Sequence, residues 1–177
     1  RPSGRPQASV LIAILNYGEY IEKPELIYTQ RSNHLSTHSG EVSFPGGKAD
    51  KTDPSLFGTA LRESNEEMNL RGEDVTELGK LDYLISRHKI EVNPFVASID
   101  QPQALKPNEE IQEIFTVPLS FLLDSKNLER QIIERQGGVW QVPTWEIKNQ
   151  KIWGLTAMIT VNFLNVCFDA NIEILEA

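Results

Sequence analysis

Apolar positions come in short runs separated by polar turns, and the runs are of strand length over most of the chain. Ala8 to Leu15 (ASVLIAIL) reads as a first strand, ending at a polar Asn16-Tyr17-Gly18 turn. Glu25 to Gln30 (ELIYTQ) reads as a second. The polar segment Arg31 to Gly40 is a loop, and Val42 to Phe44 is a brief strand halted by Pro45-Gly46-Gly47. At about 100° per residue, Phe57, Ala60, Leu61, Ser64 and Met68 fall on one stripe, so Phe57 to Met68 is an amphipathic helix with Ser64 as its weak point. Leu78 to Arg87 and Glu91 to Asp100 read as paired strands. Pro118 opens a short helix over Val117 to Leu123. Val139 to Glu146 and Lys151 to Trp153 form a hairpin across Lys148-Asn149-Gln150, and Thr156 to Asp169 is a buried closing helix. Strands on both sides of the main helix, without regular alternation, point to an α/β domain with a mixed sheet.

Length fits one domain of 177 residues: an arm over residues 1–7 and a single domain over 8–177. The net charge of −8 argues against a nucleic-acid partner, which usually meets a basic face. It leaves room for anionic substrates, because a divalent cation can carry phosphate to an acidic site. No run approaches the ~18 apolar residues of a membrane span, so no membrane partner is expected. One cysteine, Cys167, cannot pair internally, and its apolar surroundings predict a buried, inert thiol. A reducing cytoplasmic setting follows, with residues expected upstream of Arg1.

Candidate chemistry concentrates in Arg62-Glu63-Ser64-Asn65-Glu66-Glu67. Glu63, Glu66 and Glu67 stand at i, i+3 and i+4 on one helical face, about 130° from the apolar stripe. Three clustered carboxylates repel one another unless a cation compensates, and hard oxygen donors suit Mg²⁺ or Mn²⁺. In isolation a solvated acidic face with Arg62 offsetting Glu66 would explain the pattern. Phe44-Pro45-Gly46-Gly47 changes that weighing, because a glycine pair lets backbone approach a ligand. Thr52 or Asp53 is the expected helix cap, with Pro54 in the first turn.

Strand, glycine loop and carboxylate helix together resemble the Nudix box, G-x5-E-x7-R-E-U-x-E-E-x-G-U, through Gly47, Arg62, Glu63, Glu66, Glu67 and Leu70. Asp53 stands in place of the first Glu, one residue further from Arg62 than the pattern has it. Ser64 replaces a bulky residue and Asn69 the glycine after the helix. Asn is the next most tolerant residue at a left-handed helix end, so the fold is expected to survive. Upstream, Leu26 to Gly47 (LIYTQRSNHLSTHSGEVSFPGG) resembles the motif LLTxRSxxxLxxHxGxxxFPGG of the coenzyme A pyrophosphatase branch, with imperfect spacing between Ser32 and Leu35. Looser similarity runs through Asn93 to Val96, Val117 to Leu123 and Ile152 to Ala157.

The resemblance implies a Nudix α/β/α sandwich and metal-dependent cleavage of coenzyme A to 3′,5′-ADP and 4′-phosphopantetheine. It implies Glu63, Glu67 and Glu66 as metal ligands with the Gly46 carbonyl, alongside Arg62 in the catalytic set. Arg31, Ser32, His38, Gly46 and Gly47 become substrate-binding candidates. His38 either donates to phosphate or orients the glycine loop. The general base stays open among Glu63, Glu109, Glu110 and Glu113, where solvated acids at a helix start explain the last three equally well. ADP-ribose, a dinucleotide or a nucleotide sugar is the alternative substrate, and a non-catalytic binding module the second alternative. A homodimer is kept as an expectation.

Overall fold

A computed structural model of the chain describes residues 3–15, 23–135 and 137–177. The first apolar run is β1 (Gln7–Leu15), whose two edges are both paired. On one side it runs parallel to β7 (Glu91–Ile99), in register from Gln7↔Glu91 to Leu15↔Ile99. On the other, its start pairs antiparallel with β4 (Gly46–Lys48) and its end with β2 (Glu25–Arg31). β2 also pairs with β3 (Val42–Ser43) and β8 (Ile111–Pro118), while β5 (Val75–Lys80) and β6 (Leu84–Ile85) pair with β7. One parallel pairing among antiparallel ones makes the sheet mixed, and with three helices beside the strands the class is α/β. The turn read at Asn16-Tyr17-Gly18 lies outside the described residues.

The chain divides into two compact units, Arg1–Pro118 and Leu119–Ala177. In the first, α1 (Leu56–Met68) lays Ala60 and Met68 against Leu11, Ala13, Ile27, Phe95, Ala97 and Ile99, all buried. Phe57 packs at the edge of this cluster, as its stripe position requires. Ser64 is fully buried on the same stripe, and its hydroxyl has no hydrogen-bond partner among the described residues. That leaves a cost of about 1–3 kcal/mol inside the helix seat. At the far end Asn69 takes the left-handed backbone (φ 58°) and its N–H bonds the Asn65 carbonyl, as expected for the glycine it replaces.

Several expectations are corrected. Ser55 caps α1 by accepting from the Gly58 N–H at 2.9 Å, because Thr52 is tied to Asp50 and Asp53 to Arg62. Pro54 therefore precedes the cap. The glycine pair does not end a strand but forms β4. Glu109 to Glu113 starts no helix: Ile111 onward is β8. The strand after α1 begins at Val75 and is interrupted between Lys80 and Leu84.

Pro118 is the last residue of β8 rather than the first turn of a helix, and the second unit opens on α2 (Leu119–Leu123). β9 (Glu129–Arg135) and β10 (Gly138–Ile147) pair antiparallel, and β10 continues into β11 (Gln150–Ile152) through Lys148 and Asn149. Both turn residues have positive φ, the backbone a two-residue hairpin demands. β12 (Leu175–Glu176) pairs with β10, and α3 (Gly154–Phe168) buries Ile159, Val161, Phe163 and Leu164. The last turn of α3 surfaces, so Cys167 is exposed rather than buried.

Candidate active site

Two glycines with no room for a side chain bring α1 onto the sheet. A Cβ on Gly46 would lie 2.2 Å from the Ser9 carbonyl oxygen of β1, and one on Gly47 only 2.4 Å from Glu63 Cδ. The Gly46 N–H also donates to Glu67 Oε1 at 3.4 Å, a long bond. The main chain of β4 is thus held between a strand and two carboxylates.

Those carboxylates are not equivalent. Counting about 100° per residue, Glu67 lies only about 20° from buried Ala60, Glu63 further round and Glu66 furthest. Glu67 is accordingly buried, at 4% exposure, while the Glu66 side chain is 54% exposed. Burial pushes the Glu67 pKa up to about 8, opposed by the Gly46 N–H and by the Arg31 charge, and aided by Glu63 and Glu110. Burial likewise raises Glu63, with Arg62 pulling the other way. The single outward-facing triad expected from spacing is a gradient from core to solvent.

Arg62 sets the other side of the site. Its Nε and Nη2 donate to Asp53 Oδ1 and Oδ2 at 2.7 and 3.0 Å, and Nη2 also reaches the Lys48 carbonyl at 3.0 Å. Its Nη1 donates to Glu63 Oε1 at 3.0 Å and Glu66 Oε1 at 3.2 Å. Asp53 takes two more bonds, from the Asp50 N–H and Thr59 Oγ1, and the Arg62 bond first among these holds it far below the usual carboxylate range. Asp is one methylene shorter than Glu, and one additional residue precedes Arg62. The two departures offset each other at this bidentate pair.

The segment before β8 docks on the end of α1. Lys106 N–H bonds the Met68 carbonyl at 3.1 Å, and Asn108 N–H the Glu67 carbonyl at 3.0 Å. Ser32 fastens the same segment: its N–H donates to the Glu110 carbonyl and its Oγ to the Glu109 carbonyl, at 2.8 and 2.9 Å. This bracing role was not read from sequence, where Ser32 stood only as a substrate ligand. Glu110 acts electrostatically on both Glu63 and Glu67. Glu109 and Glu113 are exposed, Glu113 lying opposite Gln30. Arg31 acts on Glu67 with opposite sign, and its Nε is buried with no partner among the described residues.

His38 belongs to a different cluster. Its Nδ1 meets Glu41 Oε2 at 2.8 Å, Arg87 Nη2 donates to Glu41 Oε1 at 3.3 Å, and the His38 and His88 rings meet edge-on at 5.0 Å. Phe44 is core, stacked on Tyr28 with ring centroids 4.6 Å apart.

Among the described residues no three His, Cys, Asp or Glu side chains form a ready-made metal group, and Glu66 is engaged by Arg62. The donor chemistry nonetheless fits a hard divalent cation. Glu67 is a buried carboxyl with one long hydrogen bond, beside Glu63 and a backbone with no side chain in the way. A cation there would supply the charge compensation that the protein withholds.

Comparison with known proteins agrees with this arrangement. The family model described as "NUDIX domain" matches residues 5–136. An uncharacterised Nudix hydrolase, NudL of Yersinia pestis (strain Pestoides F), is 40% identical over 154 residues, covering 86% of this chain and 75% of the relative. The Yersinia pseudotuberculosis (strain YPIII) protein of the same name matches to the same extent. Among solved structures, a Caenorhabditis elegans Ap4A hydrolase binary complex superposes with TM-score 0.54 at 22% identity, over 64% of this chain and 80% of that one. A MutT/nudix family protein from Enterococcus faecalis gives TM-score 0.55 at 14% identity, over 96% and 64%. At these identities the structures share the fold.

Proposed function

The chain belongs to the Nudix hydrolase family, whose members act on nucleoside diphosphate derivatives, and from that premise we propose that it is a coenzyme A diphosphatase. It cleaves the diphosphate of coenzyme A or its acyl derivatives to 3′,5′-ADP and 4′-phosphopantetheine or the acyl form. Residues 8–177 serve as one hydrolase domain in this reading.

The observation that carries it is the Leu26 to Gly47 stretch, which resembles the coenzyme A branch and supplies both faces of the site. Its end is β4, seated against Glu63 and Glu67. Its middle carries Arg31, whose unpartnered buried Nε is suited to a phosphate oxygen.

Glu63 and Glu67, with the Gly46 carbonyl, would hold Mg²⁺ or Mn²⁺, and Glu66 would join them on leaving Arg62. When bound, the cation neutralises phosphoryl charge and lowers the pKa of attacking water. Arg62 orients Glu63 through Nη1 and is itself held by Asp53. Glu63 is the first choice of general base, and Glu110 the second because its charge reaches the same two carboxylates. His38 and the groups around it would meet a part of the substrate away from the scissile bond.

A panel of coenzyme A, ADP-ribose, a dinucleoside polyphosphate and a nucleotide sugar, each with Mg²⁺ and with Mn²⁺, tests the assignment. Fastest cleavage of coenzyme A supports it. Intact coenzyme A beside rapid cleavage of another diphosphate overturns it.

A further inference from the structure

Strand β9 reads Glu129-Arg130-Gln131-Ile132-Ile133-Glu134-Arg135 and, among the described residues, pairs only with β10. Its other edge carries main-chain N–H and C=O groups that a further strand could take. Five of its seven residues are exposed, including Ile132 at 67%. Nothing in the diphosphate chemistry uses this strand.

The sequence of β9 is complementary to its own reverse. In an antiparallel pairing of two β9 strands centred on Ile132, Glu129 meets Arg135 and Arg130 meets Glu134, each twice by symmetry. Ile132 then meets its own counterpart, and Gln131 meets Ile133. Residues opposed in this register share a face of the sheet, so every charge faces its opposite. An edge strand guarded against aggregation needs charge, but it does not need this order of signs. Arg130 now donates from Nη1 to the Glu173 and Gln141 carbonyls, at 2.7 and 3.5 Å, and releases them when it turns to Glu134 of the second copy.

The apolar surface continues from that centre. Ile132 lies opposite Gln141 of β10, and Gln141 opposite Leu175 of β12, while Val139 is two residues from Gln141 on the same face. Leu175 is 37% exposed and Val139 36%.

From the free edge, the self-complementary charges and the exposed isoleucine, we infer that β9 is the interface of a two-fold homodimer, joining two copies of this chain strand to strand. Such a contact is isologous and closes on itself, so it stops at two.

Sedimentation and light scattering of the full chain, from roughly 1 to 500 µM, test this directly. The expected result is a mass that rises with concentration to twice the 20.0 kDa of the chain. The double variant Glu129→Arg with Glu134→Arg, and the double variant Arg130→Glu with Arg135→Glu, each place like charges in all four pairs. Each stays at single-chain mass, and mixing them in equal amounts restores the dimer. Hydrogen exchange on the unaltered protein decides the case even where a variant fails to fold: β9 amides exchange more slowly at high concentration. A chain monomeric throughout, or a dimer whose β9 amides ignore concentration, overturns the proposal.

Discussion

Asp53 and Arg62 form a two-pronged ion pair, Nε to Oδ1 at 2.7 Å and Nη2 to Oδ2 at 3.0 Å, and through it a loop residue outside α1 fixes where the helix carboxylates stand. The guanidinium is planar and bonded to Asp53, Glu63 and Glu66 at once, so an ammonium cannot replace it. Arg62→Lys should therefore lower kcat by about 10–100-fold, the usual range for a supporting partner of a metal ligand. Its melting temperature should fall only slightly. Steady-state kinetics beside thermal unfolding check the split.

The same pair makes stability sensitive to acid. The Asp53 pKa is depressed in the folded state, first by Arg62 and then by the Asp50 N–H. Its contribution is therefore present above the ordinary carboxylate range and lost as pH falls below it. Asp53→Asn should flatten the acid limb of stability from about pH 5 down to about pH 2, measured by unfolding at each pH. An unchanged acid limb would show that the pair is not coupled to folding.

The two glycines should fail in different ways. Gly46→Ala drives a methyl against Ser9 backbone, which cannot move without breaking β1 from β4, and should cost about 1–3 kcal/mol of stability. Gly47→Ala meets only the end of the Glu63 side chain, which can swing aside. It should leave stability nearly unchanged while lowering turnover about 100-fold, since small displacements of a reacting group are costly. Denaturant titration and kinetics on both variants separate the effects.

Ser64→Ala should stabilise the protein by about 1 kcal/mol, because it removes a buried hydroxyl that has no partner among the described residues. Replacement by Leu, the bulkier class of residue in the box pattern, tests whether space remains beneath α1. Chemical denaturation of the two variants reports this.

How far these features could be read in advance depends on how local their causes are. α1 was legible because its apolar stripe repeats at helical spacing, and Asn69 because a left-handed helix end admits few residues. The different fates of Glu66 and Glu67 were present in the same angles, since Glu67 lies beside Ala60, but three carboxylates on one face concealed it. β4 was not legible: glycines offer no alternation, and the partner strand lies almost forty residues away. β8 opens on a lone Ile111 among acids, a pattern that solvated acids at a helix start would fit equally well. β9 was missed because an exposed edge has little apolar content to reveal it. Ser55 lost the expected cap to Thr52 and Asp53 in the sequence, yet both of those are committed elsewhere by contacts that spacing does not show.

Glu67 concentrates the central claim, that a buried carboxyl facing the β4 backbone works only when a divalent cation compensates it. Without metal its folded pKa is about 8, above its unfolded value. Its stabilising contribution is thus complete below the ordinary glutamate range and lost as pH rises through about 8. The neutral isostere Glu67→Gln should therefore melt roughly 4–8 °C higher than the wild type at pH 9 without metal, for a relief of about 2 kcal/mol. The decisive measurement is coenzyme A turnover by wild type and Glu67→Gln in saturating Mg²⁺, on the same preparations. A fall of about 100-fold or more in the better-folded variant is the predicted result. Wild-type turnover in Glu67→Gln, or turnover in both proteins that ignores removal of Mg²⁺, would contradict the account.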